Sequence, residues 1–175
     1  MDFFEVVKKR RSVRSLEKVE IPKEDIIKIL ESGRLAPSGR NIQPWEFIVI
    51  DRREIIEEFR KVQPFIGDAS LIIGIIANPA ESKYWLEDIS ASAENMLLAI
   101  TALGYASCWV EGTLLPNEEW VKKLLKIPEN KRLIIILPVG KEKEKEKVEM
   151  PPKKDLSLIV HHNEYGRKFL CSEKS

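Results

Sequence analysis

Apolar residues recur along the chain at two spacings, which predict an alternation of helices and strands. Between positions 84 and 103 they recur every three or four residues, which predicts a long, largely buried helix closed by Gly104 at its C-terminal cap. Continuous runs rich in β-branched residues predict buried strands at 45–50, 70–77, 105–110 and 133–139. Shorter helices are predicted over 2–10, from Pro22 to Gly33, over 52–62 and over 117–126.

Polar segments separate these elements. Residues 36–44 hold two prolines, a glycine and an asparagine, which predict a loop that leads into the first core strand. The run KEKEKEK at 141–147 has no apolar face, so we expect a solvated connector. The tail beyond it needs a surface to bury Leu156, Leu158, Ile159 and Val160, and a partner subunit is one candidate. We expect one domain over 1–175, with 141–175 as a C-terminal arm.

Composition narrows the classes of function. The 29 basic and 28 acidic residues nearly cancel, so no global field would draw the chain to nucleic acid. The N-terminus is the reverse of a secretory signal, and no apolar run approaches membrane-spanning length. Cys108 and Cys171 suggest neither a metal site nor a disulfide framework. We therefore expect a cytoplasmic protein that binds neither nucleic acid nor membrane.

The side chains alone offer little catalytic chemistry. The chain has no GxGxxG or Walker glycine pattern, which disfavours a Rossmann dehydrogenase or an ATP site. His161 and His162 are adjacent and would point to different sides in regular structure, so we expect no metal site. Ser12, Ser38 and Cys108 lack a nearby histidine with a carboxylate to orient it. The chemistry is therefore expected to come from a bound cofactor.

Two basic motifs could hold a phosphate. RRSVR presents forked cationic donors and a hydroxyl within five residues, although cations that end a helix give the same pattern; its donors are Arg10, Arg11, Ser12 and Arg14. Late in the chain, PPKKDL adds Lys153 and Lys154, although solvated lysines are the commoner case.

Two further motifs could contact a polar ring. In the loop at 36–44, Ser38, Asn41 and Gln43 can hydrogen-bond a heterocycle or polyol, although an ordinary turn would use the same residues. In CWVEGT, Gly112 lets the backbone approach a ligand closely, and Glu111 can present its amide rather than its side chain. Each motif is weak alone, and their order carries the information.

The order and spacing of these motifs resemble the nitroreductase superfamily over nearly the whole chain. The matching segments are RRSVR, the PSxxNxQPW loop, a long helix ending in GYASCW, LPVGK and a proline–lysine segment before IVHHNEYG. The resemblance implies an α+β, three-layer fold with a mixed, mainly antiparallel central sheet flanked by helices. It also implies a C-terminal arm that extends onto the partner subunit and its sheet.

The resemblance assigns FMN as the cofactor. In that family the first cluster binds the FMN phosphate and ribityl chain, which implicates Arg10, Arg11 and Ser12. Arg14 would lie near the pyrimidine edge, where a cation stabilises the negative charge of reduced flavin. The late basic position maps onto Lys153 or Lys154, and the choice between them stays open.

The resemblance further implies a homodimer with FMN at the subunit interface. The PSxxNxQPW loop of relatives contacts flavin held mainly by the other subunit, which implicates Pro37, Ser38, Gly39, Asn41 and Gln43. After the central helix, the backbone N–H of Glu111 would reach flavin N5, with Gly112 beside it. Arg14 and the Glu111 backbone are therefore the expected catalytic groups.

The implied activity is a two-step oxidoreduction. NADH or NADPH delivers hydride to flavin N5, and a small oxidised acceptor such as a nitroaromatic or a quinone then takes the electrons. The alternatives are a flavin-consuming or dehalogenating enzyme of the same fold and a non-catalytic FMN-binding protein.

The chain also departs from larger relatives at two places. It has a short connection at 78–85 where they carry extra helices, which predicts a more open acceptor pocket. Phe65 and Ile66 stand where some relatives place a further basic residue, so Arg14 would stabilise reduced flavin with little help.

Overall fold

The computed structural model describes residues 1–144 and 150–169, and within these ranges the chain forms five α-helices and five strands. The helices are α1 (Phe3–Lys9), α2 (Lys23–Arg34), α3 (Arg53–Glu58), α4 (Trp85–Ala102) and α5 (Glu118–Leu125). The strands are β1 (Leu16–Glu17), β2 (Trp45–Ile50), β3 (Leu71–Ala77), β4 (Ala106–Ser107) and β5 (Arg132–Glu142). Gly104 has φ 82°, so a glycine stands just beyond the C-terminal cap of α4 as predicted.

The five strands form one sheet. Its order is β1-β5-β3-β2, with β4 paired to β5. Each pairing between the described strands is antiparallel, which confirms the mainly antiparallel sheet; the parallel component of a mixed sheet is not found in these ranges. All seven residues of β3 are buried, because helices cover both of its faces. The sheet therefore belongs to the predicted α+β class.

Two hydrophobic cores lie on opposite faces of the sheet. Successive β3 residues alternate between them, so Ile73 and Ile75 pack with α2 and α4, whereas Ile72 and Ile76 face the other side. The second core is closed by α3, by the 3-10 segments after it and by α5. The molecule thus has the three layers that the resemblance implies.

Several predicted elements differ from the structure in extent. The strand expected at 105–110 is reduced to β4 and a single bridge between Val110 and Ile136, because the backbone leaves the ladder in between. β5 runs past its predicted end because β1, a two-residue strand without a sequence signal, pairs with Lys141 and Glu142. These two residues are the first of the KEKEKEK run, so the predicted connector begins as a strand. Residues 145–149 lie outside the described residues.

The buried strand predicted at 45–50 has the right bounds but lies at the sheet edge. Trp45 and Ile50 are buried, whereas Glu46 is exposed and the residues between are half-buried. The helix expected over 52–62 also ends early, and 3-10 turns at Phe59–Lys61 and Pro64–Asp68 follow α3. Pro22 caps α2 rather than opening it.

The described tail residues 150–169 leave their apolar side chains unburied by this chain. A 3-10 turn spans Leu156–Leu158, and 71% of Leu158 is exposed. Leu156 and Ile159 are also exposed, so the predicted need for another surface persists. No helix in the described ranges is long and apolar enough to cross a bilayer.

Candidate functional site

The cationic segment of RRSVR runs in extended form from the end of α1 to β1. Val13 is buried, and its N–H donates to the Ser107 carbonyl oxygen over 2.9 Å. Since successive side chains of an extended backbone point to opposite sides, burial of Val13 leaves Ser12 and Arg14 exposed on the other side. Phe65 packs against the small buried cluster that contains Val13. The predicted donors are thus displayed on a packed backbone.

The three arginines of the segment differ in their partners. Arg11 forms an ion pair with Glu142 at the end of β5, and Arg10 lies 3.5 Å from the Glu94 carboxylate on α4. Arg14 makes no hydrogen bond or ion pair with any residue in the described ranges. Arg14 is therefore the cation with most freedom to meet an anionic ligand, while Arg11 is held by the protein itself.

A cleft of about 330 Å³ joins this segment to the start of the C-terminal arm. It is lined by Arg10, Arg11, Ser12, Arg14, Met150, Pro151 and Lys153. Lys154 does not line it, so the structure distinguishes two lysines that the sequence left equivalent. Four cations and a hydroxyl line the cleft with no carboxylate among them, a donor set that fits a phosphate group. Met150 and Pro151 gave no sequence signal beyond the extended backbone that prolines favour.

Cys108 follows Ser107, the residue whose carbonyl oxygen anchors Val13 of the cationic segment. Only 1% of this residue is exposed. Burial raises the pKa of its thiol, and the charge of Arg14 and a hydrogen bond with Ser12 offset this only in part. Cys108 is thus a buried packing residue whose thiol is less acidic than usual.

The loop at 37–43 is held in a strained form by its own polar groups. Arg40, Asn41 and Gln43 have φ of 55°, 57° and 54°, a left-handed conformation that is costly for residues with a side chain. The Ser38 hydroxyl accepts the Gln43 backbone N–H over 3.0 Å, and the Gln43 side chain donates to the Asn41 carbonyl oxygen over 3.2 Å. Ser38 and Gln43 therefore shape the loop, and the Asn41 side chain is exposed.

A buried carboxylate fixes this loop to α4. Asp88, 4% exposed, accepts the Gly39 N–H over 2.8 Å and the Ser82 hydroxyl over 3.0 Å. Gly39 sits so close to the Tyr84 ring that an added Cβ would lie 2.6 Å from it. Sequence reasoning missed Asp88, because an acidic residue in the first turn of a helix is expected for the helix alone.

The Glu111–Gly112 peptide presents unused donors. Neither the Glu111 nor the Gly112 backbone N–H donates to a residue in the ranges that the structure describes. The Glu111 carbonyl oxygen accepts from Leu114 and Leu115 over 2.8 and 2.9 Å. An added Cβ on Gly112 would meet nothing within 4 Å, so the space beside this peptide is open. The peptide is thus available to a ligand, as the sequence suggested.

A model of the nitroreductase family matches residues 7–69 and 60–141. These two matches overlap and contain the cationic segment, the loop at 37–43 and the Glu111–Gly112 peptide. The chain belongs to the nitroreductase family. Nitroreductases are oxidoreductases, and the chain is therefore an enzyme of that class.

Individual nitroreductase relatives cover most of the chain. An Archaeoglobus fulgidus protein, provisionally named NADH dehydrogenase/NAD(P)H nitroreductase, is 40% identical over 77% of this chain and 82% of its own length. A crystal structure of a Bacteroides fragilis nitroreductase with bound FMN, 26% identical, covers 93% of this chain and 100% of its own with a TM-score of 0.77. An iodotyrosine deiodinase of Thermotoga neapolitana is 28% identical over 78% of this chain and 87% of its own length.

This nitroreductase chain does not bring all its predicted site residues together. The cleft gathers Arg10, Arg11, Ser12, Arg14 and Lys153 and includes no residue of the loop at 37–43. The loop is anchored to the first turn of α4, whereas Val13 is anchored to Ser107 beyond its last turn. The 18 residues of α4 span about 27 Å. Within one chain the two groups of residues are therefore separate.

Proposed function

We propose that this nitroreductase is an FMN-dependent oxidoreductase that moves hydride from NADH or NADPH to a small oxidised acceptor, such as a nitroaromatic or a quinone. The observation that carries the proposal is the cleft in which Arg14, Ser12 and Lys153 meet with no carboxylate in its lining. FMN bound to the Bacteroides fragilis relative supports the same cofactor here.

Different residues of the cleft suit different parts of FMN. Ser12 and Lys153 suit the phosphate, because a hydroxyl and an ammonium can share its oxygens. Arg14 has no protein partner in the described ranges, so its charge can stabilise reduced flavin without first breaking an ion pair. When bound, FMN accepts a hydride from the nicotinamide and later passes electrons to the acceptor.

We propose that two chains build each site. The loop at 37–43 is separated from the cleft of its own chain, and its left-handed residues keep Asn41 at the surface. Strain of this kind persists where it serves a site. The exposed Leu156, Leu158 and Ile159 of the arm offer apolar surface for a second copy. The loop of one chain would thereby complete the cleft of the other.

A matched pair of lysine variants tests the phosphate assignment. Lys153→Ala should weaken FMN affinity about tenfold, because one charge-assisted contact is lost. Lys154→Ala should leave the affinity unchanged, since Lys154 does not line the cleft. FMN dissociation constants measured by fluorescence titration give both values. Equal effects of the two substitutions, or none from Lys153→Ala and Ser12→Ala, would remove the basis for the assignment.

Mixed dimers test the shared site. One chain carries Ser12→Ala and Arg14→Ala in its cleft, and the other carries Asn41→Ala in its loop. In the heterodimer one site receives both lesions and the other receives none, so FMN binding should return to half of the sites. Heterodimers whose two sites both bind weakly would show that each site lies within one chain.

A second candidate is reductive dehalogenation of an aromatic acceptor, favoured by the iodotyrosine deiodinase relative. The short connection at 78–84 argues against it, because this segment forms turns rather than the helices of a large lid. Iodide release from an iodophenol, measured under anaerobic conditions with dithionite as reductant, separates the two. Release faster than nitroaromatic reduction would favour the second candidate.

A further inference from the structure

The Trp109 side chain is tied to Glu111, two residues along the chain. The indole N–H of Trp109 donates to a Glu111 carboxylate oxygen over 2.9 Å. Trp109 is half-buried and packs against the core formed with α4, whereas its neighbours Cys108 and Val110 pack into the opposite core. The indole is therefore held by the fold, and it holds the glutamate in turn.

We propose that Trp109 is a positioning residue that fixes the Glu111–Gly112 peptide as a hydrogen-bond donor to the flavin ring. The inference rests on the proposed function and deepens it, since it names the side chain that orients the backbone N–H groups toward the flavin. Trp109 acts through Glu111 and needs no contact with the flavin. The negative side chain is used as a tether, and the backbone N–H groups are left for the ligand.

Three constraints converge on this peptide. Before it, Val110 exchanges two backbone hydrogen bonds of 3.1 Å with Ile136 of β5. After it, the amides of Leu114 and Leu115 cap the Glu111 carbonyl oxygen. The indole bond fixes the side chain between these two backbone anchors. Removing it frees one rotamer-rich side chain, so the peptide loosens and its hydrogen bonds with the Leu114 and Leu115 amides open more often.

The peptide has the properties of a preorganised donor. The backbone N–H groups of Glu111 and Gly112 donate to nothing in the described part of the chain, and the space beside Gly112 is open. A donor fixed before the ligand arrives needs no reorganisation when charge changes on the ring. Small misplacements of such groups lower rates more than they lower binding.

Four variants separate positioning from packing. Trp109→Phe removes the indole N–H and keeps an aromatic ring, and Glu111→Ala removes its acceptor. Glu111→Gln keeps an amide oxygen in the same place and should restore the tether. Trp120→Phe is the matched control, because the Trp120 indole donates no hydrogen bond within the described ranges and lies on α5.

The first readout uses the protein without flavin. Trp109→Phe and Glu111→Ala should speed hydrogen exchange at the Leu114 and Leu115 amides, measured residue by residue by NMR, and Glu111→Gln and Trp120→Phe should not. Unchanged exchange in Trp109→Phe would overturn the tether. This result does not depend on whether the protein binds FMN.

The second readout uses the FMN-loaded protein. The rate at which NADH or NADPH bleaches bound flavin should fall about tenfold in Trp109→Phe and Glu111→Ala, while FMN affinity changes by less than about threefold. The double variant should be no slower than either single variant, because the two groups act as one unit. Wild-type bleaching in Trp109→Phe would overturn the inference alone, whereas a wild-type protein that binds no FMN would overturn the proposed function.

Discussion

Removal of the Asp88 carboxylate should both unfasten the loop at 37–43 and destabilise the chain. Asp88 is 4% exposed and accepts from Gly39 and from Ser82. A hydrogen bond to a charged group contributes about 1.5–3 kcal/mol. Two such bonds set the upper bound for Asp88→Ala, and relief from burying a charge offsets part of it. We expect a net loss of about 3 kcal/mol in the free energy of unfolding.

This loss is measurable by calorimetry at a fixed chain concentration. One kcal/mol shifts the Tm of a chain of this size by about 2–4 °C, so Asp88→Ala should lower the Tm by roughly 6–12 °C. Asp88→Asn should cost less, because its amide oxygen still accepts from Gly39. Ser92→Ala is the matched control on α4, since Ser92 is also buried but its hydroxyl has no partner in the described residues.

The same variant should change the loop itself. Once Gly39 is released, the left-handed residues Arg40, Asn41 and Gln43 can relax, because only the hydrogen bonds within the loop then oppose their strain. Limited proteolysis in the loop should therefore become faster in Asp88→Ala and stay slow in Ser92→Ala. A Tm within about 1 °C of wild type, with unchanged cleavage, would refute the role given to Asp88.

Three further results are expected. Burial raises the pKa of Glu118, but hydrogen bonds from Arg132 and a backbone amide outweigh burial and hold that pKa below its ordinary value of 4.5. The Glu118–Arg132 pair should therefore stabilise the fold above pH 4.5 and lose this effect as the pH falls through the lowered pKa. In Glu118→Gln, the Tm should consequently fall less steeply as the pH is lowered. Gly140→Ala should cost about 1–3 kcal/mol in urea unfolding, since its Cβ would lie 2.9 Å from a backbone oxygen of β1. In a Cys171→Ser protein, Cys108 should react with a thiol reagent at neutral pH only after denaturation, because it is buried and its pKa is raised.

Strong local patterns made most of the fold predictable. The apolar runs of β2 and β3 and the helical spacing of α4 each carry their own signal, and the structure places these elements within a residue or two of the expected bounds. β1 carries no such signal, because two residues form it only where β5 pairs with them. Its register with Lys141 and Glu142 depends on contacts that local sequence does not encode.

The sequence predicted the motifs of the candidate site but not how their residues are arranged in space. The sequence could not choose between Lys153 and Lys154, because both are lysines in one extended segment; only the packing of the arm against RRSVR separates them. Asp88 is 49 positions from Gly39, so their bond leaves no local pattern. The ion pair of Arg11 with Glu142 also joins distant positions, and in the site that we propose it leaves Ser12 and Lys153 as the groups that hold the phosphate.

Titration of the wild-type protein with FMN, followed by anaerobic addition of NADH or NADPH, tests whether the chain is an FMN-dependent oxidoreductase. We expect one FMN to bind per chain with a dissociation constant near or below about 1 μM, equivalent to roughly 8 kcal/mol, because several charge-assisted contacts act together. The bound flavin should then bleach with at least one nicotinamide and recover when a nitroaromatic or quinone is added. Absence of FMN binding at tens of micromolar, or bound flavin that neither nicotinamide bleaches, would contradict the account.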